Sequence, residues 1–198
     1  MKAALAIGLF LLSHACLAQD TIRLHFLYGS RPARHFKASE SKLFGGIKGG
    51  HVNIEAYGRV LDFMPGKCPL FPDNKNPSGG FRLNHSRYWD TASTKWMTIL
   101  VPVTPQQMDR LQNLFTSYSQ QTPYDYAVFG MRCAAASYDV LSEIGLVKKL
   151  PPRQDITLNF YPKLMRKRML KLAKKRGYTI IRHEGRPSRK WEKDQGLF

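Results

Sequence analysis

Residues 48–63, KGGHVNIEAYGRVLDF, contain two short β-prone runs separated by a Tyr-Gly dipeptide at 57–58. A two-residue turn at this dipeptide predicts a hairpin in which Asn53 faces Asp62. Side chains alternate along a strand, so His51, Asn53 and Asp62 are expected on one face. His51 and Asp62 are then diagonal neighbours, within reach of an imidazole and a carboxylate. The hairpin predicts a histidine that an acid orients, with a routine surface His–Asp contact as the alternative.

A candidate nucleophile, Cys133, lies in the first turn of a predicted helix, MRCAAASYDVLSEIG, at 131–145. A helix N-terminus favours the thiolate form of a cysteine, and a nearby imidazolium favours it further. The small residues after the cysteine allow the helix to pack closely against a sheet. A cysteine at a helix start and a histidine held by an acid are together typical of a cysteine hydrolase. A small buried core cysteine is the alternative.

The order of GGHVNIEAYGRVLDF and then YAVFGMRCAAASYDVLSEIGL resembles the circularly permuted branch of papain-like enzymes, the NlpC-related group. This branch includes YiiX/YaeF-type bacterial amidases and lecithin retinol acyltransferase-like proteins, in which the histidine strand precedes the cysteine helix. The resemblance covers residues 45–146. It implies that His51 is the general base, Cys133 the nucleophile and Asp62 the third polar residue. Tyr126 matches a recurrent tyrosine that helps polarise the substrate carbonyl, and the Cys133 backbone N–H would otherwise hold the oxyanion.

The chain departs from the acyltransferase relatives at two positions. Arg132 stands where they usually have asparagine, and Asp62 stands where they often have a second histidine. An arginine beside the nucleophile can lower the thiol pKa or meet an anionic substrate. The arginine weakens any transfer of acyltransferase activity, so we expect an amidase or peptidase. The resemblance, together with the export signal and the basic C-terminal region described below, favours cell-wall peptides as the first substrate class. A lipid acyltransferase or phospholipase of the same fold is the alternative.

Neither a metal nor a cofactor is expected. A zinc ion held by His51, Asp62 and Cys133 is chemically possible, but it would consume the nucleophile. The remaining histidines after the N-terminal segment have no partners at metal-ligand spacing, so we expect structural or exposed roles for His25, His35, His85 and His183.

The elements around these motifs predict an α+β fold. Strands and helices do not alternate regularly, so we expect an antiparallel sheet packed on the Cys133 helix. Thr104, Pro105 and Gln107 form a capping box at the start of another helix. The predicted elements are strands at 21–29, 95–103 and 178–183, helices at 104–121, 131–145 and 161–177, a loop at 64–80 and a connector at 151–155.

The N-terminal stretch MKAALAIGLFLLSHACLAQD has the layout of a secretory signal peptide. Its apolar run, Ala3 to Leu12, is too short to span a bilayer. A lipid anchor at Cys16 is the less favoured alternative, because the residues before it fit a bacterial lipoprotein cleavage box poorly. We expect an exported protein, periplasmic or secreted. The predicted organisation is a signal peptide at 1–18, a catalytic domain at 19–159, and a basic C-terminal helix and tail at 160–198 that packs on the same domain.

Export to an oxidising compartment raises a second class of function. The two cysteines left after the signal peptide, Cys68 and Cys133, could form a disulfide there. Such a bond would remove the nucleophile and leave a non-catalytic cationic binding protein.

The formal net charge of +17 is unevenly spread. Residues 160–198 hold thirteen Lys and Arg residues against three acidic residues. A basic region of this kind favours polyanions, which for an exported protein are cell-wall polymers, anionic lipids or lipopolysaccharide. An amphipathic helix near Leu164–Lys175 lying on an anionic bilayer would favour lipid chemistry, and a merely solvated basic helix is the alternative. No zinc-finger spacing and no paired aromatic strand motif is present, so nucleic acid is not expected as a partner.

Overall fold

The computed structural model describes residues 20–28, 30–32, 50–67, 69–85, 87, 90, 95–185 and 194–196. The predicted signal peptide with Cys16, the second cysteine of the disulfide alternative, Cys68, and His35 lie outside the described residues. Within these ranges, no helix has both the length and the apolar character that crossing a membrane requires.

The described chain forms a six-stranded antiparallel sheet and four helices, which confirms the predicted α+β class. The strands are β1 (Thr21–Tyr28), β2 (Ser30–Pro32), β3 (Gly50–Ala56), β4 (Arg59–Met64), β5 (Gly80–Asn84), β6 (Trp96–Pro102), β7 (Thr179–His183) and β8 (Asp194–Gly196). The large sheet has the order β5–β4–β3–β1–β6–β7, and β2 pairs with β8 in a separate two-stranded ladder.

The helices are α1 (Pro105–Gln120), α2 (Cys133–Glu143), α3 (Pro152–Leu158) and α4 (Pro162–Arg176). The predicted capping box at the start of α1 is confirmed, since the Thr104 side chain accepts from the Gln107 N–H and the Gln107 side chain accepts from the Thr104 N–H. The connector predicted at 151–155 is wrong, because α3 begins there. Pro152 occupies the first turn of α3, where its missing N–H costs no hydrogen bond, and Asp155 lies near the positive end of the helix dipole.

The β3–β4 hairpin has the predicted register. Tyr57 (φ 53°) and Gly58 (φ 68°) form the turn, and the left-handed conformation of both residues matches the twist of a tight hairpin. Asn53 pairs with Asp62 across the two strands. Strand β5, which pairs with β4 after the long loop, was not predicted from the sequence. It has only five residues and follows a Pro- and Gly-rich segment that hides its start.

One face of the sheet carries the hydrophobic core. Phe26 of β1 and Val52 and Ile54 of β3 are essentially inaccessible to solvent and join one apolar cluster with residues of α1, α2 and α4. The first turns of α2 consist of Cys133 and four small residues at 134–137, all buried. Small side chains let the backbone of α2 approach β3 closely, so the start of this helix lies directly over the histidine strand.

Candidate active site

The hairpin brings His51 and Asp62 into direct contact. The β3–β4 ladder ends at the Asn53–Asp62 pair, and His51 lies two residues beyond Asn53 along β3. From this diagonal position the His51 Nε2 donates a hydrogen bond to Oδ1 of Asp62. The Asp62 side chain is fully buried, whereas the His51 side chain keeps 16% of its surface exposed. The acid is therefore shielded from water while the imidazole remains reachable.

Helix α2 brings Cys133 to the other side of the same imidazole. Cys133 is the first residue of α2, is 3% exposed and carries a free thiol. Its sulfur is hydrogen-bonded to His51 and to the backbone of Val52. The Ser137 hydroxyl, one turn further along α2, donates to the Val52 carbonyl at 3.4 Å and fixes the helix on the strand. The three residues that the sequence singled out separately thus form one hydrogen-bonded series, Cys133–His51–Asp62.

The electrostatics of this series favour a thiolate–imidazolium pair. Burial by itself opposes the charged form of His51, but the Asp62 carboxylate and the Cys133 sulfur together raise the pKa of His51 well above its usual value. Burial likewise opposes the Cys133 thiolate. The charge and the hydrogen bond of His51, the charge of Arg132 and the Val52 backbone nevertheless lower the pKa of Cys133. Each charged form of the pair stabilises the other.

The N-terminus of α2 adds backbone donors at the nucleophile. The first N–H groups of an α-helix have no partner within the helix, and they carry the positive end of the helix dipole. The side chain of the N-cap residue, Arg132, makes no capping hydrogen bond to this end of α2. The Arg132 guanidinium instead stacks over Phe160, 4.6 Å from its ring centroid, and near Tyr161, at 5.7 Å. The backbone N–H of Cys133 therefore lies where an oxyanion could be stabilised.

Tyr126 packs against the β3–β4 hairpin. Its ring stacks on Phe63, the residue after Asp62, with centroids 5.2 Å apart. A Cβ built on Gly79 would come within 2.6 Å of the Tyr126 Cβ, so Gly79 makes room for the start of the tyrosine side chain. The position of Tyr126 is thus fixed by packing on Phe63 of β4. Its role in polarising a carbonyl stays a prediction from the resemblance.

Sequence reasoning missed Asp125, the residue before Tyr126, whose carboxylate holds the loop at 64–80 by hydrogen bonds. Its buried carboxylate accepts backbone N–H groups from Asp73 at 3.1 Å, Ser78 at 2.8 Å and Gly79 at 3.0 Å. Burial opposes the charged form of Asp125, but these N–H donors outweigh it and lower its pKa. An acid directly before the tyrosine was visible in the sequence, but the partners on a distant loop were not.

A second buried His–acid pair lies on the same face of the sheet as His51 and Asp62. His25 donates from Nε2 to Glu55 and accepts at Nδ1 from the Thr98 hydroxyl, each at 2.8 Å. Burial outweighs the carboxylate and lowers the pKa of His25, so the neutral ring is favoured. Thr98 is 2% exposed, which leaves its hydroxyl inaccessible to a substrate. This network has the structural role predicted for His25.

Asn53 lies between the two His–acid pairs, opposite Asp62 on β4 and His25 on β1. It is fully buried, and within the described ranges neither polar atom of its side chain has a hydrogen-bond partner. Oδ2 of Asp62 is in the same condition. Leaving such groups unpaired typically costs about 1–3 kcal/mol each. The unpaired groups lie beside the Cys133–His51–Asp62 series. Functional sites are the places where natural proteins most often tolerate such unfavourable groups.

Among the described residues, no group of three or more His, Cys, Asp or Glu side chains is arranged to hold a metal ion. Comparison of the chain with protein-family models, with curated proteins and with solved structures found no match.

Proposed function

We propose that this protein is a thiol hydrolase that cleaves an amide or ester bond through an acyl-enzyme, with Cys133 as nucleophile, His51 as general base and acid, and Asp62 orienting His51. The observation that carries the proposal is the His51 ring, which bonds to a buried carboxylate on one side and to a cysteine at a helix N-terminus on the other. Thiolate and imidazolium favour each other in this arrangement, so the thiolate nucleophile forms at a lower pH than that of an ordinary cysteine.

The proposed reaction has two halves. The Cys133 thiolate attacks the carbonyl carbon, forming the C–S bond, while the negative charge that develops on the carbonyl oxygen is stabilised by the backbone N–H of Cys133. His51 then gives its proton to the leaving amine or alkoxide as the C–N or C–O bond breaks, which leaves a thioester. In the second half, neutral His51 takes a proton from water, the resulting hydroxide attacks the thioester, and the C–S bond breaks to release the acid.

We propose a permuted papain-like fold for this chain. In support, the strand that carries His51 precedes the helix that carries Cys133, and that helix packs with its N-terminus against an antiparallel sheet. The proposed third residue, Asp62, lies on the next strand, in register with β3.

Cell-wall peptides remain our first proposal for the substrate, in an exported protein whose basic C-terminal region would approach anionic polymers. Lipid chemistry gains no support from α4. The apolar side chains Met165, Met169 and Ala173 of this helix are buried in the core, so this face is already covered by protein. The free thiol of Cys133 likewise gives no support to the disulfide-linked binding protein.

Acyl-enzyme trapping tests the proposed function. Mixing the protein with p-nitrophenyl acetate should release a burst of one equivalent of nitrophenol and leave one acetyl group on Cys133, detected by peptide mass spectrometry. Cys133→Ser and His51→Ala should abolish the burst, whereas His85→Ala, which removes an exposed histidine, should preserve it. Acetyl groups found on other residues only, or an unchanged burst in His51→Ala, would overturn the proposal.

A further inference from the structure

A cavity of about 480 Å³ lies between the helices α1, α2 and α3. The segment 123–131, which leads to Cys133, and the loop at 64–80 complete its walls. The lining is largely apolar and aromatic, and it includes Tyr118, Tyr124, Phe129, Met131, Leu150 and Ile156. A cavity of this size and character, with a few polar groups placed in it, is typical of a site for a small organic molecule.

The cavity is acidic in a strongly basic chain. The formal net charge of the whole chain is +17, yet four acidic side chains and one basic side chain line the cavity. The Asp125 carboxylate is already bound to backbone N–H groups of the loop, and Glu143 forms an ion pair with Lys149. Asp139 and Asp155 remain, and neither takes part in an ion pair with another described residue.

Asp155 is a buried acid with one unpaired oxygen. It is 4% exposed, and it accepts a hydrogen bond at Oδ1 from the side-chain amide of Asn159. Among the described residues, no donor is bonded to its second oxygen, Oδ2. Arg168 donates to the side-chain oxygen of Asn159 at 3.2 Å, so its charge lies one amide away from this carboxylate. A buried carboxylate with an unpaired oxygen on the wall of a cavity indicates a ligand that donates to it.

Asp139 of α2 lies within electrostatic reach of Asp155. Its Oδ2 accepts a hydrogen bond from the Tyr124 hydroxyl at 3.2 Å. Burial raises the pKa of Asp139, and the charge of Glu143 adds to the shift. Burial also raises the pKa of Asp155 to about 6, and the charge of Asp139 adds to that shift. The acids therefore repel one another, and a positive charge bound near them would offset this repulsion.

The cavity favours an organic cation over a metal ion. Its acids are not arranged to hold a metal ion, whereas carboxylates and the faces of aromatic rings both attract an ammonium group. A primary ammonium carries three N–H donors, which suits the second oxygen of Asp155, and a quaternary ammonium carries none. An apolar body attached to the ammonium would contact the apolar walls.

We propose that this cavity binds an organic molecule that carries a primary ammonium on an apolar body, with the carboxylates of Asp155 and Asp139 as its counter-charges. Cys133, His51 and Asp62 are not among the residues that line the cavity, so this inference does not rest on the proposed hydrolase activity. The alternative is that Asp155 serves only the start of α3, where the helix dipole favours an acid. The two differ in whether the cavity recognises a positive charge on a ligand.

The test compares two probes that differ in one group. Phenethylamine carries a protonated amine where phenethyl alcohol carries a neutral hydroxyl, and both have the same apolar body. Each is titrated into the full chain by isothermal calorimetry at about pH 7.5, where Asp155 is largely ionised. The amine should bind at least about tenfold more tightly than the alcohol, the effect of a hydrogen bond between charged groups. Equal affinities, or binding of neither probe, would overturn the proposal.

Asp155→Asn keeps the size of the side chain and removes its charge. It should weaken binding of the amine by at least about tenfold and leave binding of the alcohol within about twofold of wild type. Asp109→Asn is the matched control, because it removes the same charge from an exposed position of α1 outside the cavity. Its affinity for the amine should stay within about twofold of wild type, since solvent and salt screen an exposed charge. An equal fall in both variants, or an unchanged affinity in folded Asp155→Asn, would overturn the proposal.

A measurement on the wild-type protein keeps the test valid if Asp155→Asn does not fold. Adding phenethylamine should shift the backbone amide signals of Tyr124 and Ile156, which line the cavity, in a ¹H–¹⁵N correlation spectrum. The shifts should saturate with the affinity found by calorimetry, and the alcohol should need at least about tenfold higher concentration to produce them. Saturable shifts confined to other parts of the chain would place the amine elsewhere and overturn the proposal.

Discussion

Replacing Asp62 by asparagine tests whether the buried acid controls the charge state of the nucleophile. Asn keeps the shape of the side chain but cannot hold a negative charge, so the His51 imidazolium loses the partner that stabilises it. The pKa of His51 should then fall, and the Cys133 thiolate should lose part of the positive charge that lowers its own pKa. The thiolate should therefore form at higher pH in Asp62→Asn.

The size of the shift follows from the contact. A hydrogen bond to a charged group contributes about 1.5–3 kcal/mol, and one pKa unit corresponds to about 1.36 kcal/mol. Since Asp62 is fully buried, solvent weakens this interaction little. We expect the acid limb of the labelling profile to move by about one pH unit or more. At a pH on the acid limb of both proteins, labelling should then be slower by about tenfold.

The assay is the rate of iodoacetamide labelling of Cys133 between pH 4 and 9, followed by peptide mass spectrometry. The rates of the two proteins should converge at the alkaline end, where both thiols are ionised. Glu55→Gln is the matched control: it neutralises a second buried acid that binds a histidine, but that histidine, His25, pairs with Thr98 instead of a cysteine. Its labelling profile should match wild type.

Two results would refute this reasoning. An acid limb at the same pH in Asp62→Asn and wild type would mean that Asp62 does not act on the thiol. An equal shift in Glu55→Gln would mean that the effect belongs to the general charge of the sheet and not to the His51 contact. Thermal unfolding of both variants checks that each is folded at the pH of the assay.

Three further predictions concern the stability of the fold and the role of the Tyr126 hydroxyl. Burial raises the pKa of Asp155 to about 6, so the folded protein keeps this proton up to a higher pH than the unfolded chain does. The stability of the fold should therefore decline as the pH rises from about 4 to 6. Asp155→Asn mimics the protonated form, so its free energy of unfolding in urea should match that of wild type at pH 4 and exceed it by about 2 kcal/mol at pH 8. A constant difference at all pH values would contradict this. Tyr57→Asn should raise the free energy of unfolding by about 1 kcal/mol, because asparagine tolerates the left-handed conformation of this exposed turn position better than tyrosine, and a lower melting temperature would count against it. Tyr126→Phe keeps the ring stacked on Phe63, so it should unfold like wild type but hydrolyse p-nitrophenyl acetate at least about tenfold more slowly if the hydroxyl polarises the carbonyl; equal rates would remove that role.

Local chemistry determined the parts of the site that lie on one continuous stretch. The register of the β3–β4 hairpin follows from a two-residue turn and from side-chain alternation, so the sequence predicted that Asn53 faces Asp62 and that His51 can reach Asp62. The capping box of α1 was predicted for the same reason, since its three residues satisfy each other within one turn. Strand β5 was missed because it is short and follows a Pro- and Gly-rich segment, and helix α3 was missed because it has only seven residues and begins at two consecutive prolines.

The sequence by itself determined the α+β class, the His–Asp hairpin and a cysteine at the start of a helix. Only the tertiary structure decided that this cysteine meets that histidine, that the Asp125 carboxylate holds the distant loop, and that Arg166 is buried on Tyr28. These contacts join residues far apart in the chain, and they depend on how α2 and α4 bury their apolar faces against the sheet. Burial is favourable over many arrangements and carries little directional information in the sequence, so the choice among them is made by the packing of the whole core.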